Sequence, residues 1–162
     1  MLFLNIYLKL SNPHEFAPQT VHLHPYYNRS GLLRRSLKIV IPQLMEFGNK
    51  VELLVSDNYS TDDTRSVVEE LSQKYPINYI INDKNYGANQ NILLFIQSRA
   101  NGEFCWILGD DDIVRENGIK IIMDILYRNE DIDFFFVNRI SERRNEERFG
   151  GRTETLSLLW HG

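Results

Sequence analysis

The chain has 162 residues, enough for one domain with a sizeable core. Its 43% hydrophobic and 25% charged residues are ordinary for a soluble globular protein, and a net charge of −4 argues against nucleic acid or an anionic membrane as partner. The single cysteine, Cys105, forms no internal disulfide and suits a reducing compartment.

The apolar start, residues 2–10, includes Asn5 and Lys9 and falls far short of the roughly 20 residues that span a bilayer. It lacks the basic region and cleavage site of a signal peptide, so a cytoplasmic protein with no membrane span is expected. Residues 1–19 read as a leader of uncertain structure, with room for an extra edge strand and a loop. Thr20 to His24, with Val21 and Leu23 at period two, is the first strand candidate of the main pattern. A helix follows from about Ser30, with Leu32, Leu33, Leu37, Val40 and Ile41 inward. The run Lys38 to Pro42 would read as a strand in isolation and is taken as the end of this helix.

Val51 to Val55 is a β-branched strand that stops at Ser56-Asp57-Asn58. Thr61-Asp62-Asp63-Thr64 then has the hydroxyls and carboxylates that cap free N–H groups at a helix start. Val67, Val68 and Leu71 share one face of that helix, which ends at Tyr75-Pro76. Ile77 to Ile81 is a second such strand. A helix from about Gly87 to Arg99 carries a wide apolar arc from Ile92 to Ile96. Phe104 to Leu108 is a fully apolar strand. A helix from about Glu116 to Arg128 has Ile119, Ile122, Met123 and Leu126 in phase, and Asp133 to Val137 is a last strand. Continuous apolar strands alternating with amphipathic helices predict an α/β domain, Rossmann-like, with a mostly parallel sheet and helices on both faces. Ligands bind such sheets at the carboxyl ends of the strands.

Candidate chemistry gathers at those ends. Asp110-Asp111-Asp112 follows the strand of Phe104. Three adjacent carboxylates repel one another unless a cation sits among them, and Mg2+ or Mn2+ takes such ligands together with substrate phosphates. The competing role is a solvated acidic turn capping the next helix. Asp57 is either a turn residue bonded to its own backbone or an acceptor for a base or ribose. Asn85 to Asn91 lies at a strand-to-helix junction, where Gly87 permits a tight entry and free N–H groups suit an anion. A plain capped helix start explains it equally well. His22 and His24 have ligand spacing on one strand face but no partner ligands in sequence, and read as packing. Cys105 reads as a buried thiol. The alternating Arg and Glu residues between Arg139 and Arg148 read as a solvated segment, and no G-x-x-x-x-G-K-[ST], G-x-G-x-x-G or G-x-S-x-G motif occurs.

Four segments in order resemble the family 2 glycosyltransferases of the GT-A fold. Pro25-Tyr26-Tyr27-Asn28-Arg29 is similar to the family's P-x-Y-N-R. Glu52 to Thr64 is similar to E-[IL]-[IL]-V-x-D-[DNG]-x-S-x-D-x-T. Asn85-Tyr86-Gly87 with Asn91, then Ala100 to Phe104, resembles N-x-G…N…A-x-G-[ED]-[YF]. Ile107 to Asp112 stands where the DxD-type metal motif belongs. The resemblance covers about residues 20–137. It implies a nucleotide-sugar-binding domain over residues 20–140, with 141–162 a polar tail or the start of an incomplete acceptor segment. By this resemblance Pro25, Tyr27, Asn28, Asp57, Asn85, Gly87, Asn91 and Asp110 bind the nucleotide-sugar, Tyr27 and Asp57 at the base and Asp110 at the ribose or diphosphate. Asp111 is the first choice for Mn2+ or Mg2+ and Asp112 the alternative.

The activity implied is inverting, metal-dependent transfer from a nucleoside-diphosphate sugar to a glycan or lipid-linked acceptor, in the cytoplasm or at the inner face of the membrane. Two features depart from the pattern: Val21-His22-Leu23-His24 replaces a smooth β-branched strand, and about 50 residues follow Asp112, so the acceptor half is largely missing. No catalytic base is assigned. The rivals are a non-catalytic nucleotide-sugar-binding remnant, a nucleotidyltransferase and a response-regulator-like phosphoacceptor. The nucleotidyltransferase wants a Gly-rich basic loop after the first strand, and residues 25–29 have none. The phosphoacceptor wants a late strand-end Lys, where Asn138 stands.

Overall fold

The computed structural model describes residues 5–9, 19–24, 27–98, 104–109, 112–129 and 134–137. Six strands form one sheet: β1 (Asn5–Lys9), β2 (Gln19–His24), β3 (Val51–Asp57), β4 (Ile77–Ile81), β5 (Phe104–Gly109) and β6 (Phe134–Val137). Four helices alternate with them: α1 (Ser30–Leu44), α2 (Thr64–Ser72), α3 (Ala88–Ser98) and α4 (Gly118–Arg128). The sheet order is β4-β3-β2-β5-β1-β6. β2, β3, β4 and β5 run parallel, and β1 is antiparallel to both β5 and β6. The sheet is therefore mostly parallel, as the alternating pattern predicts.

One expectation fails in position. The leader does contain a strand, but β1 is not at an edge. It lies between β5 and β6, with Tyr7 opposite both Trp106 and Phe135. Its partners are distant in sequence, so no local pattern could assign them.

The two faces of the sheet are built differently. On one, Leu53 and Val55 of β3 and Phe104, Trp106 and Leu108 of β5 meet α1, α2 and α4 in a single buried cluster. The helices supply Leu33, Leu37, Val40, Ile41 and Leu44, then Val67, Val68 and Leu71, then Ile119, Ile122, Met123 and Leu126. Spacings of three and four put each set on one helical stripe. On the other face, reached by the alternate strand residues, Leu54 and Cys105 are fully buried with Ile80 and Ile107 against them. Burial first, and then the nearby Glu52 carboxylate, pushes the Cys105 thiol up to about 12, so it is an inert core group.

Local boundaries have physical causes. α1 continues through Pro42 to Leu44. The proline falls in the last turn, where it removes the bond its N–H would have made to the Lys38 carbonyl, and the helix ends two residues later. β3 runs two residues beyond the apolar pattern because Ser56 and Asp57 both find polar partners inside the protein. α4 begins at Gly118 rather than near Glu116. Asn117 before it is left-handed, and a Cβ on Gly118 would stand 2.7 Å from Val114 Cγ1, so any side chain there would force the buried Val114 to shift. Gln43 of α1 then accepts from Ile119 N at 3.3 Å, which satisfies one free donor at the start of α4. Among the described side chains of α3, Leu93 is 48% exposed and the buried residue is Asn91. A polar contact to the sheet thus precedes the apolar arc read from sequence. No helix among the described residues is long and apolar enough to cross a membrane.

Candidate functional site

The order of the parallel strands reverses between β2 and β5, where His24 pairs with Gly109. At such a switch point the turns leaving the strands open a crevice for ligand. Among the described candidates, Tyr27 and Asn28 follow β2, Asp57 is the last residue of β3, Asn85 and Gly87 follow β4, Asp112 follows β5, and Asn91 lies in the first turn of α3. Pro25, Asp110 and Asp111 lie outside the described residues. The side chains of His22 and His24 do too, as does the segment from Arg139 to Arg148.

Asp57 ends β3 at 2% exposure. Its Oδ1 accepts from Ser60 N at 2.9 Å and its Oδ2 from the Tyr79 hydroxyl at 2.6 Å. The turn role read from sequence is present, and the Tyr79 bond adds to it. Tyr79 lies opposite Val55 in the β3–β4 ladder, so Asp57 is its diagonal neighbour on the same face, within reach of a long aromatic side chain. Burial first, then the hydrogen bond and charge of Asp57, push the Tyr79 phenol far above its ordinary value, which keeps it a donor.

Tyr27 and Asn28 form the turn after β2. Tyr27 is exposed, and Asn28 is left-handed at φ 59°. Asn28 ties its turn to the one after β3. Its N–H donates to Ser60 Oγ at 3.2 Å, and its Oδ1 accepts from Thr61 N at 2.7 Å and Asp62 N at 3.3 Å. Asp62 completes the clasp from the other side. Its Oδ2 accepts from Ser30 N at 2.9 Å at the start of α1, and its Oδ1 accepts from Thr64 N at 3.1 Å and from the Thr64 hydroxyl at the start of α2. One carboxylate thus caps two helices. Burial raises the Asp62 pKa, but the bonds from Thr64 and Ser30 together outweigh it and hold the carboxyl below its usual range.

The turn after β4 is fixed by amides. Asn91, 1% exposed, accepts at Oδ1 from the Ser56 hydroxyl and from Asn82 Nδ2, both at 2.8 Å, and donates to Ser56 O at 3.3 Å. Asn82 also donates to Asn58 Oδ1 at 3.1 Å. Asn58 accepts from Tyr86 N at 2.9 Å and donates to Asn85 Oδ1 at 2.8 Å. Asn85 Oδ1 in turn accepts from Gly87 N at 2.9 Å, and Gly87 takes the positive φ of 79° that the tight entry requires. Asn85, Gly87 and Asn91 therefore belong to one network that sets the backbone of two strand ends. Sequence reasoning missed Tyr79, Asn82 and Gln43. The available signal was a run of asparagines at Asn58, Asn82, Asn85 and Asn91, each just past a strand or at a helix start.

After β5, Asp112 is 7% exposed. Its N–H donates to Gly109 O at 3.1 Å and its Oδ2 accepts from Gly109 N at 3.1 Å. The third aspartate of the triplet thus bonds back to the last residue of β5.

The sequence pattern described as Glycosyl transferase family 2 matches residues 23–161. The chain belongs to that family. Among curated relatives, it is 33% identical over 138 residues to the abequosyltransferase RfbV of Salmonella typhimurium, covering 80% of this chain and 40% of that protein. It is 32% identical over 142 residues to the GalNAc(5)-diNAcBac-PP-undecaprenol beta-1,3-glucosyltransferase of Campylobacter jejuni, covering 83% and 43%. The mannosyltransferase PcManGT of Pyrobaculum calidifontis, solved in complex with GDP-Man and Mn2+, superposes with a TM-score of 0.57 at 20% identity, over 72% of this chain and 34% of that one. S. aureus TarS gives 0.55 at 20% identity, over 69% and 33%. These likenesses establish the GT-A fold. The chain spans less than half the length of these curated relatives.

Proposed function

We propose that the chain is the donor-binding part of a glycosyltransferase that moves a sugar from a nucleoside diphosphate to a hydroxyl of a glycan or lipid-linked acceptor, with inversion. The observation that carries this reading is the tying together of strand-end turns beside the β2–β5 reversal, in a chain of this family. Bonds from Asn28, Asp57 and Asp62 and the amide network around Asn58 and Asn91 pre-set the backbone where a donor would lie. Positioning of this kind converts binding energy into reaction geometry.

Tyr27 offers an exposed ring for the base. Pro25 belongs with it in the nucleotide-sugar site, and Asp57, oriented by Tyr79 and Ser60, is the acceptor for base or ribose. Asp110 serves the ribose or diphosphate. The hard-oxygen donors of the triplet fit Mn2+ or Mg2+. Asp111 is preferred over Asp112, because Asp112 Oδ2 closes the turn on Gly109 N. A cation held there would neutralise charge on the departing diphosphate. The undecaprenol-linked glycan in the name of the C. jejuni relative makes a lipid-linked glycan the first acceptor class to test, and we place the reaction at the cytoplasmic side of the membrane.

Binding to the folded state raises its melting temperature. With Mn2+, one of UDP, GDP, CDP or dTDP is expected to raise the Tm of the chain, and Asp111→Ala to abolish the rise. No shift with any of the four overturns the donor-site reading. A donor hydrolysis or transfer assay then separates turnover from binding alone.

A further inference from the structure

Tyr59 follows Asp57 by two residues and has a left-handed backbone, φ 70°. That region suits glycine or asparagine and is an outlier for a bulky side chain. Such outliers persist where the surrounding structure over-determines them, and they gather at ligand sites. Here the surroundings do so. Ser60 N is held by Asp57 Oδ1, and Ser60 Oγ by Asn28 N, which leaves Tyr59 at the apex of a turn closed on both sides. The same bond makes Tyr59 and Tyr27 the immediate chain neighbours of one contact, Asn28 to Ser60. Both are exposed, at 51% and 43%. Burial of the ring therefore does not account for an aromatic residue on a backbone that favours a small one.

We propose that Tyr59 is a second aromatic wall for the nucleobase, beside Tyr27, and sets affinity for the base rather than for the diphosphate. This rests on the donor-site reading above. The test is calorimetric titration of the chain with Mn2+ and the four nucleoside diphosphates, and separately with Mn2+ and inorganic pyrophosphate, which has no base. Tyr59→Asn removes the ring and keeps a residue that tolerates the left-handed backbone, so the fold is retained. Its affinity for the preferred nucleoside diphosphate is expected to fall about tenfold, the scale of one base–aromatic stack. Pyrophosphate affinity stays unchanged, and Tyr59→Phe binds as the unaltered chain does. Undiminished nucleotide affinity in Tyr59→Asn overturns the proposal, as does an equal loss for pyrophosphate, which would make the role one of turn geometry. If the unaltered chain binds none of the four nucleotides, the donor-site reading fails and takes this inference with it.

Discussion

Among the described residues, the two faces of the sheet bury different mixtures of hydrocarbon and amide. Under α1, α2 and α4 the contact is hydrocarbon, in one cluster from Leu33 to Leu126. Where α3 starts on the opposite face, the buried contact is Asn91 with Ser56 and Asn82. Apolar burial is strong and non-directional, so it holds layers together without fixing any one atom. Amide bonds contribute less net stability but fix distance and direction, and a buried one is costly to break. The face that carries stability is thus distinct from the polar contacts that set the geometry of the strand ends.

Three substitutions can break or sharpen this contrast. Leu37→Ala, at a fully buried position, should cost about 2–5 kcal/mol in denaturant unfolding while leaving the nucleotide-dependent Tm rise in place. If that rise vanished while the protein stayed folded, the two faces would not be separable. Asn91→Leu keeps the branched shape and removes a partner from both Ser56 and Asn82, for an expected loss of about 1–3 kcal/mol. Unlike Leu37→Ala, it should also weaken nucleotide binding, and full stability with full binding would show the network to be dispensable. Asp62→Ala comes last, with about 1–2 kcal/mol lost from the two helix starts.

The Asp62 effect has a pH signature. Its carboxyl titrates lower in the folded chain than in the unfolded one, so the unfolded chain takes up the proton first as pH falls. The contribution is complete above about pH 4 and is lost as pH drops through the lowered folded value. Stability curves of the unaltered chain and Asp62→Ala should converge in acid; a constant gap between them would assign the loss to packing instead.

Most of the architecture was legible because its causes are local. Val67, Val68 and Leu71, or Ile119, Ile122, Met123 and Leu126, declare a helix face by spacing alone, and all seven are buried. The strand-end positions of Tyr27, Asn28 and Asp57 were equally readable. What stayed hidden depends on partners across the fold. The Tyr79 bond to Asp57 requires knowing that β3 and β4 are neighbours in register. The capping of α4 by Gln43 requires two helices to meet, and the division of Asn28 and Asn91 into bracing roles requires the turns to be seen together. Sequence marks which polar residues are unusual, and only the assembled sheet shows which of them face one another.

The placement of β1 sets an order of events during synthesis. This strand is translated before every other described element, yet both strands it pairs with, β5 and β6, come late among those elements. Its backbone donors and acceptors must therefore wait, exposed, while β2, β3 and β4 can already assemble with α1 and α2. Closing so long a loop is slow and leaves an unpaired strand available to wrong partners in the interval. Refolding should accordingly show the β2–β3–β4 region protected from hydrogen exchange before the β1–β5 ladder.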